Sequence, residues 1–159
     1  MSEDFMSERD ESMIFRVQRI DYRNLNGKQQ ENHNFAKVAG YLAEYGFHCI
    51  RLTDDWKGAD FLAVHINGEH LLKVQLKSRV GIEKKYSGRK IYMAFPIKNT
   101  GWYLIAHEKL VEIFDLTTNA LNTSAWKDRG AYHSRDPSVE LRNALEEYRI
   151  DTGRDEILL

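Results

Sequence analysis

The chain has little cysteine, little net charge and no long apolar run, and each shortage excludes a class of protein. A single cysteine, Cys49, among 159 residues rules out an intrachain disulfide framework and fits a reduced, cytoplasmic setting. The formal net charge of −1 gives no global basic field, so any binding to nucleic acid needs a local patch. No apolar run is long enough to cross a bilayer, and we expect no membrane partner.

Repeats and common cofactor motifs are also missing. The six histidines and one cysteine show no spacing typical of a zinc site. No internal repeat and no glycine-rich loop that cradles phosphate is present. Because the length and the ordinary balance of 30% charged and 42% hydrophobic residues suit one core, we expect a single domain.

The two ends of the chain differ from its middle. Residues 1–12 are acidic and rich in serine, unlike a signal peptide, and we expect a disordered leader there. Residues 13–150 carry the apolar patterns of one domain, and residues 151–159 form a C-terminal tail.

Apolar periodicity predicts an α/β fold. The clearest helix covers residues 29–45, where four apolar residues fall on one face and Gly46 is placed to end the helix. Residues 53–58 are rich in turn formers and predict a loop. Strands are predicted at 47–52, 91–95 and 102–105, and further helices at 107–114 and 136–148, the last opening with Asp136 as N-cap. With the hairpin described next, this predicts a central mixed sheet of four or five strands flanked by helices.

The domain is organised around a predicted hairpin. Two apolar runs flank Asn67-Gly68, a pair that tolerates the positive φ angles of a two-residue type I′ turn. Counting back from this turn places Asp60 opposite Gln75, and strand alternation puts Gln75 and Lys77 on one face. Three polar side chains therefore converge at one end of an apolar hairpin.

Together, these three side chains can bind a metal ion and a water molecule. Carboxylate and amide oxygens are hard ligands that suit Mg²⁺, and an ammonium group beside them can hold or deprotonate a water molecule. Asp60, fourteen intervening residues and then Gln75-Leu76-Lys77 resembles the core motif of the PD-(D/E)XK nuclease superfamily, in the variant with Gln at the second acidic position. The segments 85–96 and 101–107 are similar to uncharacterised bacterial members.

The resemblance implies a restriction-endonuclease-like core and hydrolysis of DNA phosphodiester bonds. It implies catalytic roles for Asp60, Gln75 and Lys77. The implied metal ligands are Asp60, Gln75, the carbonyl of Leu76 and Glu31 from the first helix. The expected cofactor is Mg²⁺, with Mn²⁺ as an alternative, and the expected partner is DNA.

The glutamine in this motif has an electrostatic consequence. Replacing an acid by Gln75 removes an attraction of roughly 4 kcal/mol for a monovalent charge about 4 Å away at an effective dielectric near 20. A working site then needs a second carboxylate, from Glu31, Asp54 or Asp55. Each has an ordinary interpretation as well, Glu31 as a first-turn acid that complements the helix dipole and the two aspartates as solvated turn residues.

The sequence after the motif carries one sizeable basic run. The residues expected to bind nucleic acid are Arg79, Lys84, Lys85, Tyr86, Arg89 and Lys90. Such a run is commonly a solvated face, but beside a site of phosphoryl transfer it predicts contacts to the DNA backbone without reading of sequence. Tyr86 either stacks on a base or anchors the loop.

Three hypotheses follow. The first is a nuclease, expected as a homodimer because a domain this small needs a partner subunit to cut both strands of a duplex. The second is a catalytically inactive nuclease-fold module that binds nucleic acid through its basic rim. The third is a structural hydrogen-bond cluster in an unrelated α/β domain, with Lys77 paired to a nearby acid.

Overall fold

The structure of the protein, a computed structural model, describes residues 14–159 apart from the side chain of Asp55, so the predicted leader lies outside the described residues. The elements are α1 (Gly27–Ala43), β1 (Phe47–Trp56), β2 (Ala59–His65), β3 (Leu71–Leu76), β4 (Gly81–Glu83), β5 (Ile91–Ile97), β6 (Gly101–Ala106), α2 (His107–Thr117), α3 (Ser124–Lys127), β7 (Ala131–His133) and α4 (Val139–Leu145). None of the helices in this part of the chain has the length and apolar character needed to traverse a bilayer.

Five strands form the central sheet, in the order β1-β2-β3-β5-β6. The β3–β5 pair is parallel and the other three pairs are antiparallel, so the predicted mixed α/β sheet is confirmed. A parallel pair needs a crossover connection, and residues 77–90 supply it. This crossover contains β4, which pairs with β7 in a separate two-stranded sheet.

The sheet has an apolar core on each face. One core lies between α1 and the sheet and contains Val38, Leu42, Phe61 and Val74. The other contains Met93 and Phe95 of β5, Leu110 of α2 and Leu141 of α4. Because Gln75 is paired with Met93 across the parallel β3–β5 ladder, its side chain lies on the second face.

Helix α1 has well-defined ends. The Asn26 side chain accepts the backbone N–H of Gln29, and the Gln29 side chain accepts the N–H of Asn26, which is a capping box. Gly46 follows the helix with a φ of 82°, where a side chain would be strained. The helix therefore begins and ends two residues earlier than the predicted range 29–45.

The hairpin has the predicted register but not the predicted turn. In the described loop, residues 66–69, only Gly68 has a positive φ, and a type I′ turn needs two such residues. His65 N–H donates to the carbonyl of His70, so the loop has four residues. Asn67 acts through its side chain, whose oxygen accepts backbone N–H groups of the next residues. The type I′ prediction was wrong, but a loop centred on the same point leaves the register unchanged.

Two element boundaries also differ from prediction. Strand β1 continues through residues 53–56, where a loop was expected, although its pairing with β2 is irregular between Arg51 and Trp56. Helix α4 begins after Ser138, whose hydroxyl accepts a backbone N–H. Asp136 does not cap it, because the Asp136 carboxylate pairs with Arg142 at 3.0 Å.

Candidate functional site

Asp60 and Gln75 lie side by side where the β2–β3 ladder ends. The last pair of this ladder is Phe61 with Val74. Beyond it, Asp60 Oδ2 accepts hydrogen bonds from Gln75 Nε2 at 2.7 Å and from the backbone N–H of Leu76 at 2.8 Å. The Asp60 carboxylate therefore takes a backbone donor that a continued ladder would use.

One cleft of about 350 Å³ contains all three predicted catalytic side chains. Its lining residues are Gly58, Asp60, Gln75, Lys77, Lys85, Tyr86 and Arg89. Gly58 has a φ of 90°, and a Cβ there would lie 3.0 Å from the Tyr86 ring, so glycine lets the ring form the cleft floor. Three cationic side chains and one carboxylate line the cleft, which suits an anionic ligand.

Lys77 is held by an acid that was not predicted as a site residue. Its Nζ lies 2.8 Å from Oε1 of Glu83, a residue only 9% exposed. Lys85 Nζ lies 3.1 Å from the other carboxylate oxygen, and His133 Nε2 lies 3.2 Å from Oε1. This pairing is what the structural-cluster hypothesis expected for Lys77. The Lys77 side chain is nevertheless 24% exposed and lines the cleft.

The network fixes the charges of Lys77 and Glu83. Burial acts to raise the pKa of Glu83, but hydrogen bonds from Lys77 and Lys85 outweigh it and lower that pKa to about 2. Burial acts to lower the pKa of Lys77, and the hydrogen bond to Glu83 raises it overall. Lys77 is therefore an ammonium cation at neutral pH, suited to orient water or stabilise negative charge, and not to accept a proton.

A buried histidine fixes the backbone of Glu83. The Glu83 N–H donates to Nε2 of His107, which is fully buried, and burial lowers the pKa of His107. Since Nε2 accepts, the ring proton is on Nδ1, and that atom has no hydrogen-bond partner within residues 14–159. Glu83 is the only acid in the basic segment 77–90, which is the one sequence signal that marks it.

A second cleft of about 440 Å³ lies on the other side of Asp60. Lys28, Glu31, Arg51, Leu52, Thr53, Asp54, Ala59 and Asp60 line it. Glu31 is past the first turn of α1 and pairs with Arg51 and Lys28, so its interpretation as a first-turn acid was wrong. Asp54 shares this second cleft with Asp60, whereas for Asp55 only the backbone position in β1 is described.

The donor types around Asp60 fit a hard cation, although the acids are few. In the described part of the chain, no three His, Cys, Asp or Glu side chains come together to hold a metal ion. Asp60, the Gln75 amide and the Leu76 carbonyl offer oxygen donors of the kind that Mg²⁺ accepts beside water and phosphate oxygens. Gln75 directs its amide nitrogen at both Asp60 and the Leu76 carbonyl. Metal binding would need the amide to present its oxygen.

The predicted basic run divides between different surfaces. Lys85, Tyr86 and Arg89 line the cleft. Arg79 lies in a separate pocket with Ser134, Arg135 and Pro137, and Lys90 is exposed with a φ of 53° just before β5.

Two members of this run have local structural partners. Lys84 Nζ donates to the carbonyl of Lys127 and lies 5.4 Å from the Trp126 ring centroid, on the α3 side. Tyr86 is 3% exposed and packs edge-on against His107. Tyr86 therefore anchors the crossover, and its ring is not available to stack on a base.

Comparisons with known proteins give a structural likeness but assign the chain to no family. No protein-family model and no curated protein matches the chain. Among solved structures, it is similar to Hjc, a Holliday junction resolvase of the archaeal hyperthermophile Archaeoglobus fulgidus. The likeness has 18% identity and a TM-score of 0.40, and it covers 48% of this chain and 72% of that one.

Proposed function

We propose that the protein is a metal-dependent nuclease that hydrolyses phosphodiester bonds in DNA at the cleft of Asp60, Gln75 and Lys77. The observation that carries the proposal is that these side chains, in the D-x(14)-Q-x-K spacing of the PD-(D/E)XK superfamily, line one cleft at the end of a hairpin. The α1–β1–β2–β3 order that precedes a parallel strand supports the same assignment.

Each residue of the cleft has a proposed role. A bound Mg²⁺ ion would lower the pKa of the attacking water molecule and polarise the phosphate. Asp60, the Gln75 amide oxygen and the Leu76 carbonyl hold the ion, and Glu31 adds a carboxylate from the second cleft. Lys77 orients the attacking water and stabilises the negative charge that develops on the phosphate.

The cationic side chains in and around the cleft bind the DNA backbone. Lys85 and Arg89 share the cleft with Lys77 and contact the DNA backbone at the cleavage site. Arg79, Lys84 and Lys90 contact the backbone further away. Such contacts position the substrate without reading its sequence. In a homodimer, each of the two clefts acts on one strand of the DNA duplex.

Two observations favour a second candidate, a nuclease-fold module without catalysis. Gln75 donates to Asp60 in place of offering an oxygen, and no three-ligand group is found among the described residues. This candidate predicts DNA binding that persists without divalent metal and weakens steeply with salt.

The test is a cleavage assay on single-stranded, duplex and branched DNA, with Mg²⁺, with Mn²⁺ and with a chelator. We expect metal-dependent cleavage that falls at least ~100-fold in Asp60→Asn and in Lys77→Ala, with folding checked by thermal unfolding. Lys37→Ala, in a different groove beside α1, is the matched control and keeps full activity. Binding without cleavage over a wide range of both metals identifies the inactive module, and neither binding nor cleavage identifies the structural cluster.

A further inference from the structure

Glu83 holds two ammonium groups with one carboxylate. Lys77 is bound to Oε1 at 2.8 Å and Lys85 to Oε2 at 3.1 Å. Their Nζ atoms lie 5.3 and 5.0 Å from the centroid of the same Tyr86 ring. Each ammonium has three donors, so a bond to Glu83 leaves donors free for another anion. Both lysines line the cleft, and Glu83 is not among the described residues that line it.

Glu83 is itself fixed from several sides. Its backbone N–H donates to buried His107, and its strand β4 pairs with β7. His133 of β7 lies against the carboxylate, and a Cβ at Gly81 would clash with the His133 ring. Glycine at position 81 is therefore required for this close approach. A carboxylate held this firmly fixes the positions of the groups it binds.

We propose that Glu83 is a positioning residue that holds Lys77 and Lys85 as a pair of ammonium groups. The remaining N–H donors of this pair bind one phosphate group of the substrate. The proposal rests on the proposed function, because the phosphate is that of the cleaved DNA. It adds a second cation, Lys85, to the immediate surroundings of the phosphate. It also explains why an acid lies behind a cleft that binds a polyanion.

Glu83→Gln separates positioning from simple electrostatics. The amide keeps the shape of the side chain but removes its negative charge, so the cleft becomes more positive. Electrostatics alone then predicts equal or tighter DNA binding. Loss of positioning predicts slower cleavage, because the two ammonium groups repel each other when no carboxylate lies between them.

The experiment compares kcat and KM of wild type, Glu83→Gln and Glu83→Asp with Mg²⁺ on the cleaved DNA. We expect kcat to fall about 10- to 100-fold in Glu83→Gln with KM unchanged or lower, and to recover in part in Glu83→Asp. Glu112→Gln, an exposed acid of α2 paired with Lys109, is the matched control and retains the wild-type kcat. A kcat within two-fold of wild type in Glu83→Gln overturns the proposal.

A second readout does not depend on cleavage. Lysine ammonium groups held in ion pairs exchange their protons slowly, which ¹H–¹⁵N NMR of the side chains detects. We expect two protected ammonium signals in the wild type, removed by Lys77→Met and Lys85→Met in turn, and both lost in Glu83→Gln. Equal protection in wild type and Glu83→Gln overturns the positioning role. If the wild type does not cleave DNA, the proposed function fails, and the NMR result alone decides the role of Glu83.

Discussion

The two clefts that share Asp60 hold their charged groups in different ways. In the first cleft, Lys77 and Lys85 are bound to buried Glu83 and lie beside the buried ring of Tyr86. In the second, Glu31 and Arg51 pair at the surface, with side chains 49% and 34% exposed. Solvent screens a surface pair, whereas removing one partner of a buried pair leaves an uncompensated charge. The first cleft is therefore preorganised and the second is adjustable.

This difference suits the proposed chemistry. A cation that stabilises a transition state works best when its position is set before the substrate arrives. A metal ligand such as Glu31 has to leave its present partners, and an exposed ion pair of about 0.2 to 1 kcal/mol allows this at small cost. The contrast predicts large effects for changes in the first cleft and small ones in the second.

The largest effect is expected from removing the floor of the first cleft. Tyr86→Ala deletes a ring that is 3% exposed and packs against Gly58 and His107. We expect the free energy of unfolding, measured by urea denaturation, to fall by about 3 to 4 kcal/mol. Leu116→Ala, at a residue 83% exposed on α2, serves as the control and changes stability by less than about 0.5 kcal/mol. A loss below 1 kcal/mol for Tyr86→Ala would show that the first cleft is no better supported than the second.

An intermediate effect is expected from pH. The pKa of Glu83 is lowered from 4.5 to about 2, so in that window the folded state binds fewer protons than the unfolded state. Its stabilisation is therefore complete above pH 4.5 and is lost as the pH falls to about 2. We expect the wild type to lose about 2 to 3 kcal/mol more than Glu83→Gln over this window. Denaturant titrations at a series of pH values measure it, and equal slopes for the two proteins would contradict the buried network.

Sequence reasoning placed Asp60 beside Gln75 because strand pairing depends only on where the loop is centred. A two-residue and a four-residue loop around Asn67 and Gly68 give the same pairs. The pattern could not choose between them, because Asn-Gly suits positive φ angles as well as side-chain capping of a longer loop. The extent of β1 was missed for a related reason, since turn-forming residues also occur in an irregular strand.

The ion pair that holds Lys77 could not be predicted from local sequence. The groups around Glu83 come from the residue after β3, from α2 and from β7, and only the tertiary fold brings Lys77, His107 and His133 together. The sequence also did not predict which surface each of the adjacent basic residues faces. Lys84 contacts the α3 side while Lys85 lines the cleft, because the chain makes a 3₁₀ turn there. A charge run in sequence therefore did not predict a continuous basic surface.

The smallest effect is expected in the second cleft, from Arg51→Ala. Arg51 pairs with Glu31 and lies 5.0 Å from the Phe35 ring centroid, and we expect its removal to cost at most about 1 kcal/mol of stability. If Glu31 supplies a second carboxylate to the metal, removing Arg51 leaves Glu31 only its exposed pair with Lys28, and Mn²⁺ binding measured by calorimetry tightens by roughly two- to five-fold. The gain has to vanish in Arg51→Ala combined with Glu31→Gln, because no carboxylate is then released. An equal gain in that double variant would show that Arg51 acts on Asp60 through its charge alone, and that Glu31 is no ligand.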